Sequence, residues 1–524
     1  MEEQKAESHA ATGEDPVPGE QSEIAITPWK LALVLVALCL CIFCLALDNT
    51  ILSTAIPRIT GQFNSIEDIG WYGSIYQLGS CAVTLVFGKL YARFSPKWVY
   101  IIALAVFELG SLVCGLAPNS PSLIIGRAIA GFGAGGLFPG SLIIIACFVS
   151  LERRPIFIGL LASSYGVASV IGPVIGGLFT DHVSWRWCFY INLPIGAVAG
   201  ILVLILIPSW SPSRGPRTLK GTLLDLDPVG NLFFLPSIVL LLVALELGGS
   251  RYTWSSWRII LLLVLAGVLM LAFVASQLLN PDHAMIPPRL FRNRSVCGAC
   301  WFMFCVSGGF LVFVYYLPIW FQAVKGVSAA ESSKMFLPFI LGTVLLSPIT
   351  GVLVSLLGYP KPLLLLSPVL MSIGAGLLTT LTPFTSASKW IGFQALLGIG
   401  AGMGLELPIV VVQSVSLPDD IAISSSIISF IQMLAGAVFI TVAQSTFENR
   451  LLHNALVYAP SVNRRDLLGA GAADLRDHFR GDVLRQVLVA YNAAVTQTFY
   501  VGVAVVALAI IGAVIVRWAS IKGC

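Results

Sequence analysis

Five ionisable side chains lie inside long apolar stretches of this chain, where a charge is costly to bury. They are Asp48, Glu108, Arg127, Glu246 and Glu406. A carboxyl group held away from water binds a proton more readily than one in water, so such an acid can exchange protons near neutral pH. These residue types therefore indicate proton transfer, or recognition of a charged molecule, within an apolar environment.

Asp48 is the first candidate for proton transfer, because two polar residues, Asn49 and Thr50, follow it directly. Protonation would remove its charge and change which side of a cavity is favoured. The alternative is a fixed carboxylate that pairs with Arg127 or with backbone amides. Arg127 itself could pair with an acid and steer proton release, or it could form a purely structural ion pair.

Glu406 stands in a glycine-rich run that extends from Gly398 to Pro408. Because glycines have no side chain, other helices can approach this segment closely, and Glu406 is expected deep in a packed bundle. It could carry a proton or attract a cationic substrate. The alternative is a structural acid that hydrogen-bonds a neighbouring helix.

The surroundings of these residues are those of a membrane protein. Of the 524 residues, 57% are hydrophobic and 11% are charged, whereas soluble domains carry roughly 25% charged residues. A spanning helix needs about 20 apolar residues. Fourteen runs meet this requirement, at 30–55, 69–90, 98–117, 121–142, 155–180, 186–207, 228–248, 256–279, 295–320, 332–355, 362–382, 389–413, 424–446 and 497–519.

The connections between the runs predict the orientation. With the N-terminus in the cytosol, the inside connections carry more Lys and Arg than the short outside ones, so both termini are expected in the cytosol. Residues 1–28 are polar and acidic and predict a disordered cytosolic tail without a cleavable signal peptide. The outside loop 447–496 contains apolar residues at helical spacing, which predict an amphipathic surface helix or a small lid without membrane contact.

One apolar helix is dense in small residues. Ala168, Gly172 and Gly176 recur every four residues, with Pro173 and Gly177 beside them. This spacing places the small side chains on one face, which another helix can approach closely.

In order along the chain, these motifs resemble the fourteen-spanner drug:proton antiporter branch of the major facilitator superfamily, which fungi use for multidrug and toxin efflux. The resemblance covers residues 30–519. It rests on Leu47–Ile51 with Ala55–Pro57 in the first helix, Gly126-Arg127 with Gly131, Gly133, Gly135 and Gly136 in the fourth, Ala168–Gly177 in the fifth, and Trp185-Arg186-Trp187 with Asn192, Pro194 and Gly196 at the sixth.

The resemblance implies an all-α polytopic membrane protein with the major facilitator fold, arranged as 6+2+6 transmembrane helices. In this fold Glu108 lies on a peripheral helix and is expected to be structural, and Glu246 near the outer boundary is expected to be solvated. The implied segments are the tail 1–28, a six-helix bundle 29–207, a cytosolic linker 208–227, two extra helices 228–280, a cytosolic loop 281–294, a second six-helix bundle 295–519 with the extracellular loop 447–496, and a cytosolic tail 520–524.

A loop after the second helix departs from the pattern of the family. It keeps Gly88, Arg93 and Lys97, but Ala92 stands where the family has an acid. The resemblance assigns this loop to a cytoplasmic latch in which the acid binds across to another helix. Here the two cations could still serve through their charge, or they could act only as determinants of topology.

A substrate cavity between the two bundles is also implied, with polar and aromatic residues on its helices. Each of these residues could instead satisfy a neighbouring helix, and some of the aromatic ones could face lipid. The candidates are Tyr76, Gln77, Phe313, Tyr316, Gln394, Gln413 and Gln432.

The predicted function is proton-coupled export of hydrophobic or amphiphilic small molecules by alternating access, with Asp48, Glu406 and Arg127 in proton coupling. The small face of the fifth helix would seal the two halves. The alternatives are uptake of a siderophore or organic ion, and a non-transporting receptor. We expect a monomer in the plasma membrane or, alternatively, the vacuolar membrane, whose partners are protons, a small molecule and lipid. No phosphate-binding loop, catalytic constellation or basic face occurs in the sequence, so we expect no enzyme, no cofactor, no metal and no nucleic acid.

Overall fold

A computed structural model describes residues 27–63, 65, 68–209, 221, 225–249, 251–281, 283–460, 462–463 and 475–522, and these residues are mostly helical. Most of the predicted tail 1–28, most of the linker 208–227, the middle of the loop 447–496 and residues 523–524 lie outside the described residues. The helices are α1 Pro28–Phe63, α2 Ile69–Arg93, α3 Pro96–Leu116, α4 Ser120–Phe148, α5 Arg154–His182, α6 Trp187–Tyr190, α7 Asn192–Leu206, α8 Pro228–Leu247, α9 Trp257–Leu279, α10 Pro288–Phe291, α11 Arg294–Trp320, α12 Ala329–Met335, α13 Leu337–Leu357, α14 Lys361–Leu378, α15 Ala387–Gly404, α16 Leu407–Val415, α17 Ile421–Tyr458, α18 Leu475–His478 and α19 Gly481–Ile515.

The apolar runs form helices because a chain in lipid must satisfy its backbone hydrogen bonds within itself. Among the described residues, thirteen segments are long and apolar enough to cross a membrane. The helix α2 has the length of a span but is not among the thirteen, and it carries the polar residues Ser74, Tyr76 and Gln77. The all-α membrane fold is therefore confirmed, and the count of fourteen spans stays a prediction.

Two helix boundaries differ from those expected. The run 389–413 is broken between α15 and α16, where Leu405 and Glu406 form a turn and Pro408 opens the next helix. Proline lacks the amide proton that would continue the first helix.

The expected outside loop 447–496 is also much shorter in the structure. α17 extends to Tyr458, and the final helix already begins at Gly481. The segment that was predicted to form a separate amphipathic helix belongs largely to α19. Part of its apolar face is buried, with Val487 fully enclosed and Tyr491 packed on Phe447 at 5.2 Å between ring centroids.

Two helical halves pack against each other, α1–α7 forming the first half and α11–α19 the second. Arg93, Asp225 and Arg289 lie on one side of the molecule, which we call the basic side. Contacts that join α2 to α17 and α5 to α13 include the ends of these helices at that side, as the Gly88–Ser426 and Pro155–Gly351 contacts illustrate. The halves are therefore closed against each other at the basic side.

Candidate functional site

An ion pair lies in the interior of the first half. Asp48 of α1 and Arg127 of α4 approach to 2.5 Å between Oδ2 and Nη1, and both side chains are fully buried. Glycines on α4 make this approach possible: a side chain at Gly131, one turn from Arg127, would collide with the backbone of Tyr76. The close contact of α4 with α2 draws the guanidinium into the bundle, where only a carboxylate can balance its charge.

The second carboxylate oxygen of Asp48 also has a partner. Asn192, the first residue of α7, donates from Nδ2 to Asp48 Oδ1 at 3.1 Å and lies 3.3 Å from Ser111 Oγ on α3. Three elements thus meet at one buried carboxylate, because α1, α4 and α7 each contribute one polar side chain. Buried polar groups are normally satisfied in this way.

The guanidinium of Arg127 is held on two further sides. Its Nε donates to the backbone oxygen of Tyr72 at 2.9 Å, and its Cζ lies 4.3 Å from the centroid of the Tyr76 ring. Such a position over an aromatic face stabilises a cation. Arg127 Nη2 and the Tyr76 hydroxyl are buried and have no hydrogen-bond partner among the described residues.

A short chain of side-chain hydrogen bonds begins at Tyr72, on the side of the ion pair that faces away from the basic side. The Tyr72 hydroxyl donates to Ser120 Oγ at 2.8 Å, and Ser120 in turn donates to the carboxylate of Asp68. Asp68 immediately precedes α2, at the end of the bundle that faces away from the basic side. Tyr72 thus contacts Arg127 through its backbone oxygen and the Ser120–Asp68 pair through its hydroxyl.

Glu406 lies at the break between α15 and α16, in the second half. Its side chain is half-buried, makes no cap hydrogen bond, and has no ion-pair partner among the described residues. Interrupted helices are typical of binding sites in membrane transporters, because they expose backbone groups and side chains to a cavity. Glu406 and the Asp48–Arg127 pair belong to different halves, and no hydrogen bond or ion pair joins them among the described residues.

The predicted cavity residues fall into several environments. Tyr76 is buried against Arg127, whereas its neighbour Gln77 is exposed. Gln413 is buried where the halves meet, and its Nε2 lies 3.1 Å from Ser425 Oγ and 3.5 Å from the Leu142 backbone oxygen of α4. Gln432 is half-buried.

The other three candidates pack within the second half. Phe313 is fully buried against Phe499, with 5.1 Å between ring centroids. Tyr316 packs on Phe447. Gln394 is fully buried and donates to the backbone oxygens of Met335 and Trp390. These contacts satisfy neighbouring helices.

The small face of α5 packs against α1 within the first half. Ala168, Gly172 and Gly176 are buried, and a side chain at either glycine would collide with Thr50, Ile51 or Thr54 of α1. Pro173 is half-buried, and a side chain at Gly177 would meet no atom within 4 Å. In this conformation the contact of α5 with the second half is made instead by Gly159, Ser163 and Gly166. The predicted seal by the small face stays a prediction for another conformation.

The predicted latch loop forms part of an ionic cluster at the basic side. Arg93 Nη2 lies 3.2 Å from Asp225 Oδ1, and His283 Nδ1 lies 3.0 Å from the same oxygen. Lys89 donates to the His283 backbone oxygen at 3.3 Å. Asp225, in the segment before α8, thus places an acid beside this loop. In the loop itself, Ala92 stands where the family has an acid.

The remaining latch residues hold other elements. Gly88 lies against Ser426 of α17, and Lys97 donates to the Leu204 backbone oxygen at 2.7 Å. Nearby, Arg289 forms a two-pronged ion pair with Asp420 just before α17, at 2.7 and 3.1 Å. The basic side is therefore held together by ionic contacts that include the segments flanking the two extra helices.

Sequence reasoning missed two members of the Asp48 site. Asn192 was noted only as part of a motif, and Ser111 was not singled out. The signal was present, because both are polar residues within or at the end of apolar helices. No group of three or more His, Cys, Asp or Glu side chains that could hold a metal occurs in the described part of the chain.

Solved structures with a similar fold are transporters. The human organic anion transporter MFSD10 (TETRAN) superposes with a TM-score of 0.56 at 13% identity, covering 91% of this chain and 100% of that one. The transporter FucP in the outward conformation superposes with a TM-score of 0.54 at 14% identity, covering 93% of this chain and 99% of that one. At this identity the similarity shows the fold.

Relatives at much higher identity come from fungi. The efflux pump roqT of Penicillium rubens is 51% identical over 96% of this chain and 94% of its own length. The MFS-type transporter astH of Aspergillus oryzae is 50% identical over 94% of this chain and 88% of its own, and the MFS-type efflux pump MFS1 of Trichophyton rubrum is 49% identical over 95% and 93%. Residues 38–440 match the Major Facilitator Superfamily. With its helical membrane fold and its buried ion pair, the chain is a multi-pass membrane transporter, rather than an enzyme, and belongs to the Major Facilitator Superfamily.

Proposed function

We propose that this transporter exports hydrophobic or amphiphilic small molecules in exchange for protons, by alternating access between its two halves. The observation that carries the proposal is the fully buried pair of Asp48 and Arg127. A proton on Asp48 would cancel the charge that balances Arg127, so the arrangement of α1, α4 and α7 around the pair would lose its main electrostatic support. Proton binding would thereby favour a second arrangement of the first half.

Export is supported by the relatives, since roqT and MFS1 are named efflux pumps and align with nearly the whole chain. The cargo we propose is a fungal toxin, a secondary metabolite or a drug. Such molecules are bulky and weakly polar, and they suit the mixture of aromatic and amide side chains between the helices.

Alternating access requires that the halves close at one side at a time. Contacts of α2 with α17 and of α5 with α13 close the basic side, which we infer to be cytosolic from the distribution of Lys and Arg. This arrangement would correspond to a state that is shut toward the cytosol. Asp48 and Glu406 would then exchange protons with the outside, while Arg127 would stay charged and steer proton release from Asp48. We expect a single chain to suffice, in the plasma membrane or the vacuolar membrane.

The test is transport of ethidium into proteoliposomes with an imposed pH gradient. An antiporter accumulates the dye when the lumen is acidic, whichever way the protein is inserted, and nigericin with potassium abolishes the accumulation. Accumulation that survives nigericin would refute proton coupling. Accumulation that requires an acidic exterior would show cotransport with protons, as expected for an uptake system.

A further inference from the structure

Glu108 is a second buried acid of the first half that the Asp48–Arg127 pair leaves unexplained. Both of its carboxylate oxygens are buried, and neither has a hydrogen-bond partner among the described residues. An ionised carboxylate in such a place would be an uncompensated charge within the membrane interior, which is highly unfavourable. A neutral, proton-carrying carboxyl group avoids that cost.

The position of Glu108 links it to the ion pair. Glu108 lies one helical turn from Ser111 on α3. Its carboxyl group faces Gly196 of α7, which lies one turn from Asn192 on that helix. Ser111 and Asn192 are the residues that contact each other beside Asp48. The contact between α3 and α7 therefore reaches Asp48 at Ser111 and Asn192, and it holds Glu108 one helical turn further along.

Gly196 makes room for this carboxyl group. A side chain at position 196 would overlap Glu108 Oε1 and Cδ. A glycine at this point of an otherwise apolar helix gives no stabilisation of its own. It permits α7 to pack against the carboxyl group of Glu108 on α3. A helix with a purely structural role would not need a buried acid at this point.

The titratable groups facing Glu108 come from neighbouring helices. Asp48, Cys41 and Cys44 of α1 lie near enough to interact electrostatically with it. The Cys41 thiol lies close to the Tyr100 hydroxyl, which is 2.9 Å from Ser141 Oγ on α4. Polar groups thus lie between Glu108 and the basic side, and Tyr72, Ser120 and Asp68 lie on the opposite side of Arg127.

We propose that Glu108 is a second proton-binding carboxyl group of the transport cycle, which holds a proton while Asp48 pairs with Arg127 and exchanges it with Asp48 when that pair opens. The exchange moves one proton from one carboxyl group to the other carboxylate, so the net charge of the bundle interior is conserved. This inference rests on the proposed proton coupling. It replaces the structural role that the sequence suggested for Glu108.

Infrared difference spectroscopy of the purified protein in lipid nanodiscs tests the protonation directly and needs no substrate. At neutral pH, the spectrum of the wild type minus that of Glu108→Gln should contain the C=O band of a protonated carboxyl group. Glu108→Asp should shift this band. The matched control is Glu246→Gln, another membrane acid outside the first half, and it should leave the Glu108 band unchanged. A wild-type-minus-Glu108→Gln spectrum without the band would overturn the inference.

Transport measurements distinguish failure of the role proposed for Glu108 from failure of the proposed proton coupling. Glu108→Gln should retain ethidium exchange without a gradient and lose about a hundredfold of gradient-driven accumulation, the usual contribution of a positioned proton-transfer group. Gly196→Ala should act in the same direction by displacing the carboxyl group, and Glu108→Asp should recover part of the loss. If the wild type responds to nigericin and Glu108→Gln behaves like it, only the role of Glu108 is wrong. If the wild type itself ignores nigericin, proton coupling is wrong.

Discussion

Asp48 on α1 and Arg127 on α4 form an ion pair that contacts no solvent, with 2.5 Å between Oδ2 and Nη1. Breaking such a pair from one side leaves a buried charge without a counter-charge, which costs much more than the pair contributes when it is intact. Both charges therefore have further partners. Asn192 donates a hydrogen bond to Asp48, and the Tyr72 backbone oxygen and the Tyr76 ring contact Arg127. The burial of the pair also makes the protonation of one side chain a large perturbation of the bundle.

We first predict that Asp48→Asn abolishes gradient-driven transport and lowers the free energy of unfolding by about 3–5 kcal/mol, because Arg127 is left unpaired. Combining it with Arg127→Gln should restore most of the stability and none of the coupling. Thermal unfolding in detergent and ethidium accumulation in proteoliposomes measure the two effects. A double variant that regains gradient-driven transport would show that the pair is only structural.

The second prediction uses two adjacent glycines of α5. Gly176→Val should destabilise the first half by about 1–3 kcal/mol, because the new side chain collides with Ile51 and Thr54 of α1. Gly177→Val introduces the same side chain where no atom lies within 4 Å, so its melting temperature should match that of the wild type. Equal losses of thermal stability in both variants would contradict the packing of this face on α1.

Gly177→Val also tests the predicted seal between the halves. If this part of α5 closes against the second half in another conformation, the variant should be stable and yet transport more slowly. Unchanged ethidium transport by a stable Gly177→Val protein would remove Gly177 from the seal.

The third prediction concerns the acid that stands beside the latch loop. Asp225→Asn removes the charge that faces Arg93 and His283, so closure of the basic side should weaken. Hydrogen exchange measured by mass spectrometry should then accelerate in peptides covering the ends of α2 and α17 nearest the basic side. Glu331→Gln, which breaks the exposed Lys334 pair, is the control, because such surface pairs contribute little. Exchange rates in Asp225→Asn equal to those of the control would refute a latch role.

Much of the fold follows from the sequence, because long apolar runs have a single stable outcome in lipid. The predicted run 98–117 corresponds to α3 at Pro96–Leu116, and 228–248 corresponds to α8 at Pro228–Leu247. Polar helix ends were harder to place. The start of α19 at Gly481 was hidden because its first turns alternate charged and apolar residues, and only tertiary packing of Val487 and Tyr491 shows that they continue the last helix.

Only part of the candidate site could be predicted from the sequence. Charge and hydropathy are local properties, so Asp48, Arg127 and Glu406 could be found one by one. Which of them meet depends on helix packing: Asp48 pairs with Arg127 across 79 positions of sequence, whereas Glu406 forms no hydrogen bond or ion pair with either in the described part of the chain. Glu108 was assigned a structural role because its helix is peripheral, and a single chain gives no indication that Gly196 makes room for its carboxyl group.

The last prediction concerns Glu406 at the break between α15 and α16. Its half-buried carboxyl group has no ion-pair partner among the described residues, so its charge is free to respond to a proton or a ligand. If it belongs to the proton-coupling set, Glu406→Gln should reduce gradient-driven accumulation of a cationic dye, ethidium, and of a neutral dye, Nile red, by similar factors. Glu406→Asp should retain part of both activities, and the control Glu246→Gln should retain both. Loss of ethidium transport with full retention of Nile red transport would instead identify Glu406 as a cation-recognising residue, because a neutral dye gains nothing from a carboxylate.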